Sequence, residues 1–423
     1  DSGDIESILS TETDDLGGAD DIDTGIGNDI VIGGRFADTI DIEGGNNLVI
    51  GDSGQILAAV SDTPRIGSLP FTQITLGTVQ TIEPADGGAD KISTSTVVAG
   101  NDIVLGGARG DLIITNGGDD IVLGDNGRLE YEADANADPS TLDRILSTDL
   151  EIGAADTVFA GADDDIVIGG VGGDRIDGGA DSDLILGDAA ILELQLRIIA
   201  SEPNVTSERF QALLGQTLYS RTEMPAALQG AAVPTSGNES GAVLVDGVAR
   251  AYRNPDLSVP AWAEYEITEL YHSADIEAGD AADPGKIYND DYTIADLDES
   301  YGDDYIAGGA GHDMIFGQLG NDVIQGDGSI LEAVSASRTT STTDTLALTP
   351  TLDGALSVLT VDPSFDAADD GDDYIEGNGG SDVIFGNLGQ DDIVGGSSGM
   401  FSLITSDLRP DADDILFGGS GTE

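Results

Sequence analysis

The sequence predicts an all-β chain in which short strands and tight turns wind into a two-sheeted parallel coil, in several blocks that inserted β-strands and hairpins interrupt. Three observations predict it. Aspartate recurs every nine residues, a branched aliphatic follows two places after each, and glycine with small or acidic residues fills the turns. In Gly153–Asp188, "GAADTVFAGADDDIVIGGVGGDRIDGGADSDLILGD", Asp156, Asp165, Asp174 and Asp183 keep this step, as do Val158, Val167, Ile176 and Ile185. Nine residues make one strand and one turn, so the period sets an architecture. Composition agrees. Of 81 acidic residues only 20 are Glu, leaving 81 − 20 = 61 Asp, beside 60 Gly. Aspartate prefers turns over regular elements because its carboxylate competes for nearby backbone. The charge therefore sits in turns.

The elements follow in order. Residues 1–17 read as an excursion strand. Coil blocks are expected over 18–54, 88–127, 154–188, 302–327 and 371–396, and a sixth begins at 412–423. Insertions are expected over 55–87, 128–153, 189–301, 328–370 and 397–411. Four of these open alike, with "GDSGQILAAV", "GDNGRLEYEA", "GDAAILELQL" and "GDGSILEAVS". Each opening reads as a strand leaving the coil, and segments such as "TQITLGTVQTI" and "LSVLTV" read as strands returning. The 189–301 insertion is larger. Its "TSERFQALLGQTLYSR" has the caps and spacing of a short helix. Both ends of the chain stand in mid-pattern without capping units, which fits a stretch of a longer array.

Two units make one full coil, with one strand in each of two sheets. Aliphatics two places after each aspartate point inward, and their neighbours point outward. The outer positions differ between the sheets. "DID", "TID" and "RID" are polar, whereas "IVI", "LVI" and "LIL" are apolar. One sheet is thus apolar on both faces, and insertion strands, a neighbouring block or another chain are expected to cover it.

The turns carry the chemistry. Strands in a sheet stack about 4.8 Å apart, so aspartates 18 residues apart lie one above the other. Calcium–oxygen bonds of about 2.3–2.6 Å let one ion bridge such a pair, with turn carbonyls completing the shell. Hard oxygen donors, no Cys and two His point to calcium over zinc or copper. The expected bridging pairs are Asp20/Asp38, Asp29/Asn47, Asp102/Asp120, Asp156/Asp174, Asp165/Asp183, Asp304/Asp322 and Asp373/Asp391. Asp90, Asp111, Asp313, Asp382 and Asp414 occupy the same phase. The aspartates of the Gly-Asp exits are expected to close a block: Asp52 for Asp38, Asp125 for Asp111, Asp188 for Asp174 and Asp327 for Asp313. Asp382 then lacks a closing partner, since Gly396 stands at that place. Two such carboxylates about 5 Å apart repel by roughly 3 kcal/mol at an effective dielectric of 20, so metal binding and folding are expected to be one event.

Units such as "GGAGHDMIF", "GQLGNDVIQ" and "GGVGGDRID" resemble the RTX, or haemolysin-type calcium-binding, nonapeptide G-G-x-G-x-D-x-U-x. The resemblance covers about 40% of the chain by the reading of its blocks. It implies a parallel β-roll, calcium as the bound ion, type I secretion and folding outside the cell. Departures such as "TGIGNDIVI" and "TNGGDDIVL" lose the first glycines.

Other readings are weaker. The net charge of −66 excludes nucleic acid as a partner. No apolar run approaches the roughly 20 residues that span a bilayer. There is no His-Glu-x-x-His, and the Gly-x-Ser-x-Gly at 395–399 is chance in glycine-rich sequence, so no catalysis is expected. His272 and His312 read as solvated, and Asp163, Asp164, Asp303 and Asp372 as solvating charge. The expected function is a secreted calcium-binding structural protein: a rigid extracellular fibre, surface layer or adhesin stalk that self-associates end to end or side by side. The alternatives are an adhesin binding a glycan or cell surface through 189–301, and the secretion and folding module of an exoenzyme or toxin.

Overall fold

The computed structural model describes residues 5–11, 17–60, 74–94, 98–132, 142–194, 242–245, 248–251, 265–269, 301–341, 356–389, 391–398 and 412–419. These residues form an all-β structure whose blocks stack into one parallel β-roll. The helix expected near 206–221 lies outside the described residues. Among those described, no helix is long and apolar enough to cross a membrane.

The roll has two parallel sheets. The first runs in ten strands from Asp21–Ile26 to Ile415–Phe417, and the second in nine from Ile30–Ile32 to Asp392–Val394. Strand pairing crosses every insertion in register. Ile40 pairs with Ile92, Val49 with Val104, Ile113 with Val158, Ile176 with Ile306 and Ile324 with Ile384. The inward aliphatics that the period predicts form the core, and Ile40, Val104, Val158, Ile185, Ile315 and Ile384 are fully buried in it. A pair of three-residue strands has little to bury alone. Stacking rung on rung turns these single aliphatics into a continuous apolar column.

The insertions build a third layer. Ser7–Leu9, Gly54–Ala58, Leu76–Thr81, Gly127–Glu130, Arg144–Ser147, Ala190–Leu194 and Tyr265–Glu269 join as one seven-stranded antiparallel sheet. Its Ile56, Val79 and Leu129 pack on Leu48, Ile50 and Leu105 of the second roll sheet. The chain's own insertions thus cover the two-faced apolar sheet. Side-by-side association through that face, one of the expectations from the sequence, would have to displace these strands.

The fourth insertion behaves differently. Its exit is not a strand but a turn over Ser329–Glu332, held where Asp177 Oδ2 accepts from the Ser329 hydroxyl (2.6 Å) and the Ile330 N–H (3.0 Å). The hairpin of Ser335–Ser341 and Leu356–Asp362 follows. Residues before and within it, Val334, Ala336 and Val361, pack on Val383 and Phe385 of the first roll sheet. The reason is phase. Asp52, Asp125 and Asp188 each lie in a turn that follows a second-sheet strand, whereas Asp327 ends the first-sheet strand Val323–Asp327 and leaves from the other side.

Candidate metal centres along the two edges of the roll

The turns bring the periodic aspartates into two columns, one on each edge. The first holds Asp20, Asp38, Asp90, Asp111, Asp156, Asp174, Asp304, Asp322, Asp382 and Asp414. Each backbone N–H donates to Oδ1 of the next member, at 2.6–3.0 Å. The second holds Asp29, Asn47, Asp102, Asp120, Asp165, Asp183, Asp313, Asp373 and Asp391, joined in the same way at 2.6–3.2 Å. The pairs expected 18 residues apart all stand next to one another. Across insertions the neighbours differ from expectation. Asp38 meets Asp90, Asp111 meets Asp156, Asp174 meets Asp304, Asp313 meets Asp373 and Asp382 meets Asp414.

Asp52, Asp125, Asp188 and Asp327 therefore do not close the blocks as expected. They clamp the insertions. Asp52 accepts from Gly88 (2.8 Å), just before the roll resumes at Asp90, and from Ala108 (2.6 Å) in the next coil. Asp125 does the same with Ala154 (3.2 Å) and Val171. Asp188 accepts from Leu319 (2.6 Å), and Asp327 from Gly371 (2.9 Å). The Asp52, Asp125 and Asp327 clamps tie the point of departure to the point of return, and Asp188 ties it to the next coil. Reading them as substitutes failed because the strand that pairs next comes from beyond the insertion, not from within 18 residues.

Outside the columns lies a row of half-buried or exposed side chains, one place before the column residues. Asp164 Oδ1 accepts from Ser182 (2.9 Å), and Asp303 Oδ1 from the Asn321 backbone (2.8 Å) and its amide (3.0 Å). His312 Nδ1 accepts from the Asp372 N–H (2.7 Å). Asp164, Asp303 and His312 are thus tied into the turns and are not merely solvating.

Within the columns, one carboxylate oxygen takes the ladder bond and the other is left over. Oδ2 of Asp38, Asp90, Asp111, Asp156, Asp174, Asp304, Asp313, Asp322 and Asp373, among others, is buried without a hydrogen-bond partner. A buried anionic oxygen with nothing facing it is costly, and a repeated one calls for a cation. Burial is the main reason that these acids are pushed up from their ordinary value: Asp90 and Asp391 to about 7, Asp120 and Asp174 to about 8, Asp111 to about 9. Asp165, Asp183, Asp304, Asp313 and Asp373 are also raised well above it. Burial leads there too, and neighbouring column or clamp aspartates add to it. Asp52 and Asp327 are raised to about 8 and 10 for the same two causes.

Glycine serves two purposes in these turns. The second and fourth turn positions adopt positive φ, as at Gly170 and Gly172. Asn116, Asn378, Asp163 and Asp181 take such positions elsewhere, since Asn and Asp tolerate left-handed backbone. This accounts for several lost glycines of the repeat. The first position needs space instead. A Cβ on Gly51 would lie 2.5 Å from Asp90 Oδ2 and 2.5 Å from the Gly106 carbonyl oxygen. Gly51→Ala will therefore cost about 1–3 kcal/mol through overpacking. The test is the calcium concentration at the midpoint of the folding transition, which should rise.

The donor set fits calcium. Among the described residues no three acidic or histidine side chains converge on one point, so a cation would draw on stacked carboxylate pairs and turn carbonyls. Such an all-oxygen set suits a hard ion of flexible geometry. A family model described as RTX calcium-binding nonapeptide repeat matches residues 15–40, 23–55, 98–128, 153–188, 300–329 and 368–398. No curated protein matches the chain. Asp90 and Asp414 lie outside the matched stretches, yet stand in the first column. The chain thus carries RTX calcium-binding nonapeptide repeats, wound into a parallel β-roll.

Proposed function

We propose that this is a secreted, non-enzymatic structural protein: a rod stiffened by calcium that serves as an extracellular fibre, surface layer or adhesin stalk and associates end to end. One observation carries the reading. The two aspartate ladders run through all the described coils without a break, whatever the length of the insertion between them. Ten rungs at about 4.8 Å give a rod of roughly 45 Å. Calcium, when bound, supplies the positive charge between rungs. The chain supplies the fixed carboxylates, the open glycine turns and the clamps that keep the insertions out of the stack. Proteins with such repeats are typically secreted, and millimolar calcium outside cells suits weak, multiple sites of this kind.

Electron microscopy of the purified protein, with and without EGTA, tests the reading. Ordered rods or filaments in millimolar calcium that dissolve on chelation are expected. Dispersed single particles in both conditions would sink the assembly.

A further inference from the structure

Resting on the calcium-binding reading, we propose that the two edges load calcium unequally: the Asp20–Asp414 edge along its length, the Asp29–Asp391 edge not at the three consecutive rungs Asn47, Asp102 and Asp120. The residue four places after each column member faces the aspartate at the start of the next strand. Facing the first edge, it is Gly33, Gly51, Gly106, Gly124, Gly169, Gly187, Gly317, Gly377 and Gly395, without exception. Facing the second, it is Gly178, Gly308, Gly326 and Gly386 only towards the C-terminal part. Earlier it is Thr24, Ile42, Thr94, Thr115 and Ala160.

The difference is chemical. At glycine turns a bare Oδ2 and the next rung's glycine carbonyl oxygen lie together with no proton between them, as Asp90 Oδ2 and the Gly106 carbonyl do beside Gly51. Two facing acceptors need a cation. At the three rungs named, a covalent donor stands in that place. Asn47 Nδ2 donates to the Gly45 carbonyl (2.6 Å) and to Asp102 Oδ1 (2.8 Å), and an amide nitrogen cannot ligate a hard cation. The Thr94 hydroxyl donates to the Thr115 carbonyl and lies against Asp102. The Thr115 hydroxyl donates to the Ala160 carbonyl (2.7 Å) and lies against Asp120. Asp120 Oδ2 is buried with the Thr115 hydroxyl beside it, where the first edge has only a glycine. At the two threonine turns the side chain fills the room that glycine leaves elsewhere, and its hydroxyl takes up a lone pair of the carbonyl oxygen facing it.

Native mass spectrometry of the full chain in calcium counts the ions. Thr115→Gly, which empties the turn, is expected to bind at least one ion more than the parent. Gly308→Thr, which fills a second-edge turn, is expected to bind at least one fewer. If Gly308→Thr does not fold, Thr115→Gly decides alone. An unchanged or lower count in Thr115→Gly overturns the unequal loading. A parent chain that binds no calcium overturns the underlying reading instead, so the two failures are distinct.

Discussion

Chelation with EGTA at pH 8 will abolish most of the strand signal in far-ultraviolet circular dichroism, and millimolar calcium will restore it. The expectation follows from magnitudes. Each pair of stacked carboxylates about 5 Å apart costs roughly 3 kcal/mol at an effective dielectric of 20. A folded domain has only about 5–15 kcal/mol in hand. Six uncompensated pairs, about 18 kcal/mol together, exceed even the upper end of that margin, and the two columns contain many more. The apolar core does not rescue the roll, because each rung contributes one small inward aliphatic per strand. Retention of the strand signal after chelation would show that the columns stand without cations, and would remove the physical basis of the site.

Acid will partly replace calcium. In EGTA the strand signal is expected to grow as pH is lowered from about 9 to about 5, opposite to the usual acid denaturation. The sign follows from linkage. An ordinary aspartate, as in the unfolded chain, titrates near 4. Those in the columns are raised, Asp90 and Asp391 to about 7, Asp120 and Asp174 to about 8 and Asp111 to about 9. A group raised on folding contributes stability that is fully present below its unfolded value. That stability is lost as pH rises through its folded value. The metal-free roll is therefore most favoured near pH 4 and loses stability progressively as pH rises, until these groups have given up their protons at about 7 to 9. With calcium present the dependence reverses, because the ion binds the charged form and protons compete with it. Chemical denaturation at several pH values, in EGTA and in calcium, checks both slopes. Parallel slopes in the two series would refute the account.

The period made the fold legible. A nine-residue step fixes strand, turn and inward side chain at once, so the core from Val31 to Ile384 could be read without a structure. The columns were legible wherever two coils follow directly. They became illegible at insertions, because pairing across a gap depends on where the chain returns. Asp90 and Asp111 are 21 apart, and Asp174 and Asp304 are 130 apart. The clamps were visible as a repeated Gly-Asp, but their partners lie in the next coil, and nothing local marks Ala108 or Val171. The side on which each insertion emerges was encoded all the same. Asp52, Asp125 and Asp188 follow second-column residues by five places, and Asp327 follows Asp322 of the first. Counting the parity of the turn would have placed the last hairpin on the opposite face.

The clamped insertions bear on how freely such a chain can be altered. The Asp174–Asp304 bond spans 130 residues at 2.7 Å, the same length as the Asp156–Asp174 bond across 18. Closing a loop of that greater length costs only about 2 kcal/mol more, since the entropy grows with the logarithm of length. The scaffold therefore tolerates foreign cargo at its corners, provided that the graft departs through a Gly-Asp pair and comes home two residues ahead of the next aspartate in the stack. Choosing the corner by parity would choose which flank of the rod displays it.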